Sequence, residues 1–128
     1  MAVLKDTIII KDLAKTFYLK SETKEVLKDI NITVKENEFL VLLGPGQCGK
    51  TVLLNILAGL DVPTGGEITF VNGRPPMGDL GVVFQRYALF PWKTVMGNVE
   101  INQKFKGKSK AERQAAAQKY IELVGLQG

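Results

Sequence analysis

From Thr7 to Leu13 the chain runs Thr-Ile-Ile-Ile-Lys-Asp-Leu, a β-branched stretch that predicts a strand, with Thr16–Leu19 as a short continuation carrying two aromatics. Lys20–Glu25 is polar and reads as a hairpin loop. From Val26 to Val34 apolar and polar positions alternate, with Leu27, Ile30, Ile32 and Val34 set against Lys28, Asn31 and Thr33. The alternation slips once, which predicts a half-buried strand with a bulge or turn near Asp29. After a turn at Lys35–Glu38, Phe39–Leu43 is apolar at every position, the pattern of a central strand covered on both faces.

Farther along, Thr51–Leu60 has helical spacing and stops at Asp61-Val62-Pro63. Thr64-Gly65-Gly66 turns into a strand over Glu67–Val71, and Asn72-Gly73 is a hairpin signal. Arg74–Met77 holds two prolines and reads as loop, and Leu80–Phe84 reads as another apolar strand. Gln85–Val95 is irregular around Pro91 and Trp92, and Val95–Gln103 predicts a short helix. Ser109-Lys110-Ala111-Glu112 fits a capping box. It opens a helix from about Lys110 to Val124 that presents Ala116, Tyr120, Leu123 and Val124, with Gly125 as C-cap. There are no internal repeats or low-complexity segments.

Between the apolar run and the first helix lie Gly44-Pro45-Gly46-Gln47-Cys48-Gly49-Lys50-Thr51. The spacing is that of the G-x-x-x-x-G-K-[S/T] phosphate-binding loop, in the strand–loop–helix setting the motif requires. Glycines at 44, 46 and 49 let the backbone curl and turn its N–H groups inward. A helix opening at about Lys50 adds its positive dipole end and unpaired N–H groups at the same point. Lys50 brings a mobile charge to the β- and γ-phosphates, and the Thr51 hydroxyl suits Mg²⁺. The implied ligand class is a nucleoside triphosphate with Mg²⁺.

Composition narrows the field without adding a second chemistry. With 128 residues and 45% apolar content the chain suffices for one domain or a piece of one. No apolar run approaches the roughly 20 residues that cross a bilayer. Met1–Asp12 lacks the charged-then-apolar order of a signal peptide. The net charge of +4 lies mostly in Lys104, Lys106, Lys108 and Lys110, which read as a solvated loop and helix start rather than a nucleic-acid or anionic-lipid contact. The single cysteine, Cys48, excludes an internal disulfide and fits a reducing compartment. The chain has no histidine, so Cys48 has no His partner and reads as a small loop residue, not a nucleophile.

Four segments together resemble the nucleotide-binding subunit of ATP-binding cassette (ABC) transporters. They are Gly44–Thr51, the helix with its ending Leu53-Leu54-Asn55-Ile56-Leu57-Ala58-Gly59-Leu60, the Pro63-Thr64-Gly65-Gly66-Glu67-Ile68 turn, and Gly81-Val82-Val83-Phe84-Gln85. The segment Phe84–Val95 looks most like the bacterial importers of nitrate, sulfonate and taurine. The resemblance implies an α/β P-loop NTPase fold, N-terminal half: an antiparallel β subdomain, part of a parallel core, and the start of a helical subdomain. Residues 1–128 would form a partial ATP-binding domain, with the phosphate loop at 44–51, the Q-loop at about 85–95 and the helical subdomain beginning at about 96–128.

The resemblance also implies roles. Phe17 sits where the family places an aromatic under adenine, with Tyr18 as the neighbouring candidate because Lys20–Glu25 blurs the register. Stacking of this kind contributes roughly 1–3 kcal/mol per base in single-strand nucleic-acid proteins. Gly44, Pro45, Gly46, Gln47, Cys48, Gly49, Lys50, Thr51 and Val52 would surround the phosphates. Gln85 would sense Mg²⁺ and the attacking water, so that Lys50 and Gln85 are the catalytic candidates and Thr51 and Gln85 the metal candidates. Arg86–Val95, with Tyr87, Phe90 and Trp92, would grip the transmembrane permease, unless those aromatics pack on their own domain. A second ATP-binding subunit would complete a head-to-tail dimer, and the assembly would lie on the inner face of the cell membrane, cytoplasmic and peripheral. No nucleic-acid partner is expected.

The chain departs from the family pattern in two ways. The family's loop usually has Ser-Gly where this chain has Gly46-Gln47, and Ser-Thr where it has Thr51-Val52. Gln47 puts a Cβ where glycine is usual, a strain if φ is positive there. Val52 cannot donate the hydrogen bond a threonine gives the α-phosphate. Together these predict nucleotide binding weaker by about 1–2 kcal/mol. The chain also stops before the signature serine-glycine motif, the Walker B aspartate, the catalytic glutamate and the switch histidine. The expectation is that alone it binds nucleotide without hydrolysing it, leaves apolar strand edges exposed, and is prone to association. A small-molecule kinase, a GTPase and a purely structural role remain as rivals; Gln85–Val95 argues against the first two.

Overall fold

The computed structural model describes residues 5–76, 79–86 and 88–126. Of the sequence-based expectations, Met77 in the proline loop and Tyr87 in the Arg86–Val95 segment lie outside the described residues. The chain divides into two units, Met1–Pro75 and Pro76–Gly128.

In the first unit, β1 (Asp6–Tyr18) pairs antiparallel with β2 (Thr23–Lys35) on one side and with β3 (Gly65–Phe70) on the other. The hairpin between β1 and β2 is tighter than the polar stretch Lys20–Glu25 implies, closing with Leu19 N–H donating to the Glu22 carbonyl at 2.8 Å. The predicted bulge near Asp29 is present, and a second faces it. Register slips between Ile10↔Ile32 and Leu13↔Ile30, and again before Lys15↔Leu27. Asp12 and Asp29 both adopt positive φ, 47° and 48°. Asn31 locks the pair: its side-chain oxygen accepts from the Asp12 backbone N–H at 2.9 Å, and its amide donates to Asp12 Oδ1 at 3.0 Å and to the Asp29 carbonyl at 3.1 Å. Asparagine and aspartate tolerate this conformation better than other residues with a Cβ.

The bulges matter because each slip changes which parity of residue faces inward. Ile10 is buried before the first slip, and Leu13 and Lys15 after it. Helix α1 (Lys50–Ala58) covers this face with Leu53 and Ile56, which join Ile10, Leu13 and Leu27 in the core. The helix ends earlier than Leu60, at Gly59, whose φ of 76° and N–H bonds to the Asn55 and Ile56 carbonyls make the C-cap. The Arg74 guanidinium donates to the Leu57 carbonyl at 3.0 Å and lies 5.3 Å from the centre of the Phe70 ring.

Two predicted strands do not form ladders. Neither 39–43 nor 80–84 pairs with another segment among the described residues. Phe39 and Leu43 are about nine-tenths exposed, and only Leu42 reaches the core cluster. The run has the composition of a central strand, but a strand needs hydrogen-bonded neighbours, and the three-stranded sheet supplies none to it. Asn72-Gly73 forms the expected turn, with Gly73 N–H on the Phe70 carbonyl at 2.9 Å, yet no returning strand follows among the described residues.

In the second unit the predicted helix Val95–Gln103 is two short helices, α2 (Val95–Val99) and α3 (Ile101–Phe105), broken at Glu100. Helix α4 (Lys110–Leu123) begins with the full capping box, Ser109 accepting from Glu112 N–H and Glu112 accepting from Ser109 N–H. Its buried residues are Ala117 and Ile121; Tyr120, Leu123 and Val124 are exposed, so the packed face is rotated from the expected one. Arg113 reaches Glu100 at 3.4 Å.

Candidate functional site

The loop between residue 43 and α1 is built around Lys50. Its ammonium folds back to donate to the Gly44 carbonyl at 2.7 Å and the Pro45 carbonyl at 2.8 Å, and lies 3.2 Å from Cys48 Sγ. That hydrogen bond holds the exposed Cys48 thiol below its ordinary pKa of 9.0. The three glycines do different things. A Cβ on Gly44 would meet Cys48 Sγ at 2.8 Å, and one on Gly46 would meet nothing within 4 Å. Gly49 alone has positive φ, 97°, and there a Cβ would meet Leu27 Cδ2 at 2.8 Å and the Val26 carbonyl at 3.0 Å. Gly49 is therefore the point where the loop is pressed onto β2. Gln47 adopts φ 63°, the left-handed conformation its side chain disfavours.

Gly49 is the N-cap of α1 and no side chain caps it. The first-turn N–H groups of a helix have no intrahelical partners, so here they are left for an anion. Lys50 adds a positive charge at that point, held among the described residues by the Gly44 and Pro45 carbonyls and Cys48 Sγ. This donor set fits a triphosphate. Thr51 is exposed beside it. The Val52 side chain packs against the core, leaving only its backbone N–H to a phosphate.

Phe17 and Tyr18 separate cleanly. Phe17 is half-buried, two residues along β1 from the buried Lys15, and therefore on the α1 side of the sheet; Tyr18 points away and is 77% exposed. Sequence reasoning missed Lys15 altogether. Its ammonium donates to Asp61 Oδ1 at 2.6 Å and the Val62 carbonyl at 2.7 Å, and stands over the Phe17 ring, 5.0 Å from its centre. The only signal was a lysine between the apolar Leu13 and Phe17 on one face of a strand.

Gln85 is exposed at a bend in the second unit. In the segment after it, Trp92 is 76% exposed and stacks at a tilt on Phe90, ring centres 5.5 Å apart. Asn98, also missed from sequence, pins the loop. It accepts from Phe90 N–H at 2.8 Å and donates to the carbonyls of Phe90, Lys93 and Thr94 at 3.0–3.3 Å. Thr94 caps α2 through Gly97 N–H.

A phosphate loop feeding a helix that is packed on an antiparallel sheet defines a P-loop nucleotide-binding protein. The family model for ABC transporters matches residues 27–128, and the chain belongs to that family. Over 128 residues it is 44% identical to an uncharacterized ABC transporter ATP-binding protein of Methanocaldococcus jannaschii, covering 98% of this chain and 48% of that one. It is 41% identical over 118 residues to a taurine import ATP-binding protein of Pseudomonas aeruginosa, covering 90% and 44%. Among solved structures it superposes on the ATP-binding cassette MJ0796, in a dimeric post-hydrolysis state bound to ADP and Pi, with a TM-score of 0.77 and 32% identity, covering 90% of this chain and 56% of that one. The chain spans about half the length of the curated relatives it matches. No helix among the described residues is long and apolar enough to cross a membrane.

Proposed function

We propose that the chain is the phosphate-cradle part of the ATP-binding subunit of an importer of small solutes of the nitrate, sulfonate or taurine kind. The observation that carries the reading is the uncapped start of α1 under a lysine that has no acidic partner among the described residues. Lys50 engages the β- and γ-phosphates on leaving the Gly44 and Pro45 carbonyls. The backbone N–H groups of Gly46–Val52 surround the phosphates, Phe17 stacks on the base, and Thr51 and Gln85 serve Mg²⁺, which supplies charge neutralisation at the phosphates when bound. The exposed pair Phe90 and Trp92, held by Asn98, suits a permease contact. A second ATP-binding subunit completes the working dimer, as in the dimeric cassette to which the chain is similar, and the whole lies at the cytoplasmic face of the membrane through the permease.

Calorimetric titration of the chain with Mg-ATP tests the reading, with Lys50→Ala as control. Saturable binding that the mutant loses supports it; equal binding by both, or none by either, refutes it. Phosphate release with and without a permease partner then separates hydrolysis from binding alone.

A further inference from the structure

Lys15 is the one charged residue buried among the described residues, at 7% exposure, and it is placed between the segment that follows α1 and the candidate base-stacking ring, Phe17. On one side its ammonium is fixed by Asp61 and Val62, in the segment that leaves the C-terminal end of α1. On the other it occupies a face of the Phe17 ring at 5.0 Å from the centroid. A ring with a cation on one face can receive a base only on the other. The cation also draws on the ring's negative face, which changes how strongly the ring stacks.

We propose that Lys15 is a positioning residue for the nucleotide base: tied to the end of α1 through Asp61, it fixes and polarises the Phe17 ring from the face opposite the one that receives the purine. The proposal rests on the reading that Phe17 stacks on the base. It goes beyond that reading by making base affinity depend on an ion pair that touches neither base nor phosphate. A structural ion pair alone makes a different prediction. Removing Lys15 alone leaves the partly exposed Asp61 carboxylate without its partner and lowers stability, but a purely structural role would leave the ligand preference of the folded molecules unchanged.

The experiment compares Mg-ATP with Mg-tripolyphosphate, which has the phosphates and lacks the base. Both are titrated calorimetrically into the native chain and into Lys15→Met, Lys15→Arg, Phe17→Ala and the Lys15→Met/Phe17→Ala double variant. Lys15→Met is expected to weaken ATP about three- to tenfold while leaving tripolyphosphate within about twofold, and Lys15→Arg to restore most of the loss. In the Phe17→Ala background the same substitution is expected to cost nothing further for ATP, because its effect passes through the ring. An ATP-to-tripolyphosphate ratio unchanged by Lys15→Met, or a loss as large without Phe17 as with it, overturns the proposal. If Lys15→Met does not fold, Asp61→Asn is read in its place, since it frees the ammonium without removing it; an unchanged ratio there also overturns the proposal. Failure of the underlying reading looks different: Phe17→Ala itself leaves the ratio unchanged.

Discussion

Gly49→Ala is the sharpest test of how the loop is held. At φ 97° an alanine sits in the left-handed region, which costs roughly 1–2 kcal/mol. Its Cβ also meets Leu27 Cδ2 at 2.8 Å, Val26 O at 3.0 Å and Val26 Cγ1 at 3.2 Å. Leu27 belongs to the core and the Val26 carbonyl to the β2 backbone, so neither swings aside freely. Overpacking of this kind costs about 1–3 kcal/mol. The sum, about 2–5 kcal/mol, is a large share of the roughly 5–15 kcal/mol that stabilises a domain. Gly46→Ala is the internal control: it lies in the same motif, yet its Cβ meets nothing within 4 Å. It is expected to change stability by less than about 1 kcal/mol. Urea denaturation followed by far-UV circular dichroism, extrapolated linearly, reads both. Equal midpoints for the two variants would show that Gly49 is not clamped between α1 and β2, and the reasoning would fail.

Cys48 alkylation by iodoacetamide should proceed at neutral pH faster than for an ordinary thiol, because Lys50 favours the thiolate. Lys50→Ala should slow it and raise the midpoint of its pH profile, as mass spectrometry of quenched samples will show. Asp61 is held below the ordinary carboxyl value of 3.8, first by the Lys15 hydrogen bond and then by the Val62 N–H. Its contribution to stability is therefore complete above that value and lost as pH falls through the lower folded one. Asp61→Asn should flatten this part of the acid limb in thermal melts taken against pH. Ser109→Ala should cost about 1 kcal/mol by removing the α4 cap, measured as a shift in the urea midpoint of helical signal. Gln47→Gly with Val52→Thr should tighten Mg-ATP by about 1–2 kcal/mol, and binding no tighter than in the native chain would sink the account of those two positions.

What could be read from the sequence was local, and what could not was long-range. The slip of alternation at Asp29 was visible because Leu27 and Ile30 bracket it. The facing slip at Asp12 was hidden by the unbroken run Ile8-Ile9-Ile10, which carries no parity. The capping box at Ser109 involves neighbours only and appears as expected, while the packed face of α4 was misjudged because Ala115–Ala117 offer equivalent apolar positions and Ile121 decides among them. Phe39–Leu43 shows the converse: composition tells that a segment suits a buried strand, but pairing depends on partners that composition does not name. Lys15 was illegible for the same reason, since Asp61, which makes its burial tolerable, lies 46 residues away.

The bulges connect that long-range packing to the site. Without the slip at Asp12 the parity that buries Ile10 would continue, and Tyr18, not Phe17, would face α1. With it, Leu13, Lys15 and Phe17 follow Ile10 on one side of β1. The face of β1 that packs against Leu53 and Ile56 thus also carries Phe17, beneath the Lys15 ammonium. Asn31 ties both slips together with one side chain. The two positive-φ aspartates are tolerable locally and decisive at a distance: they set which aromatic ring lies on the buried side of β1.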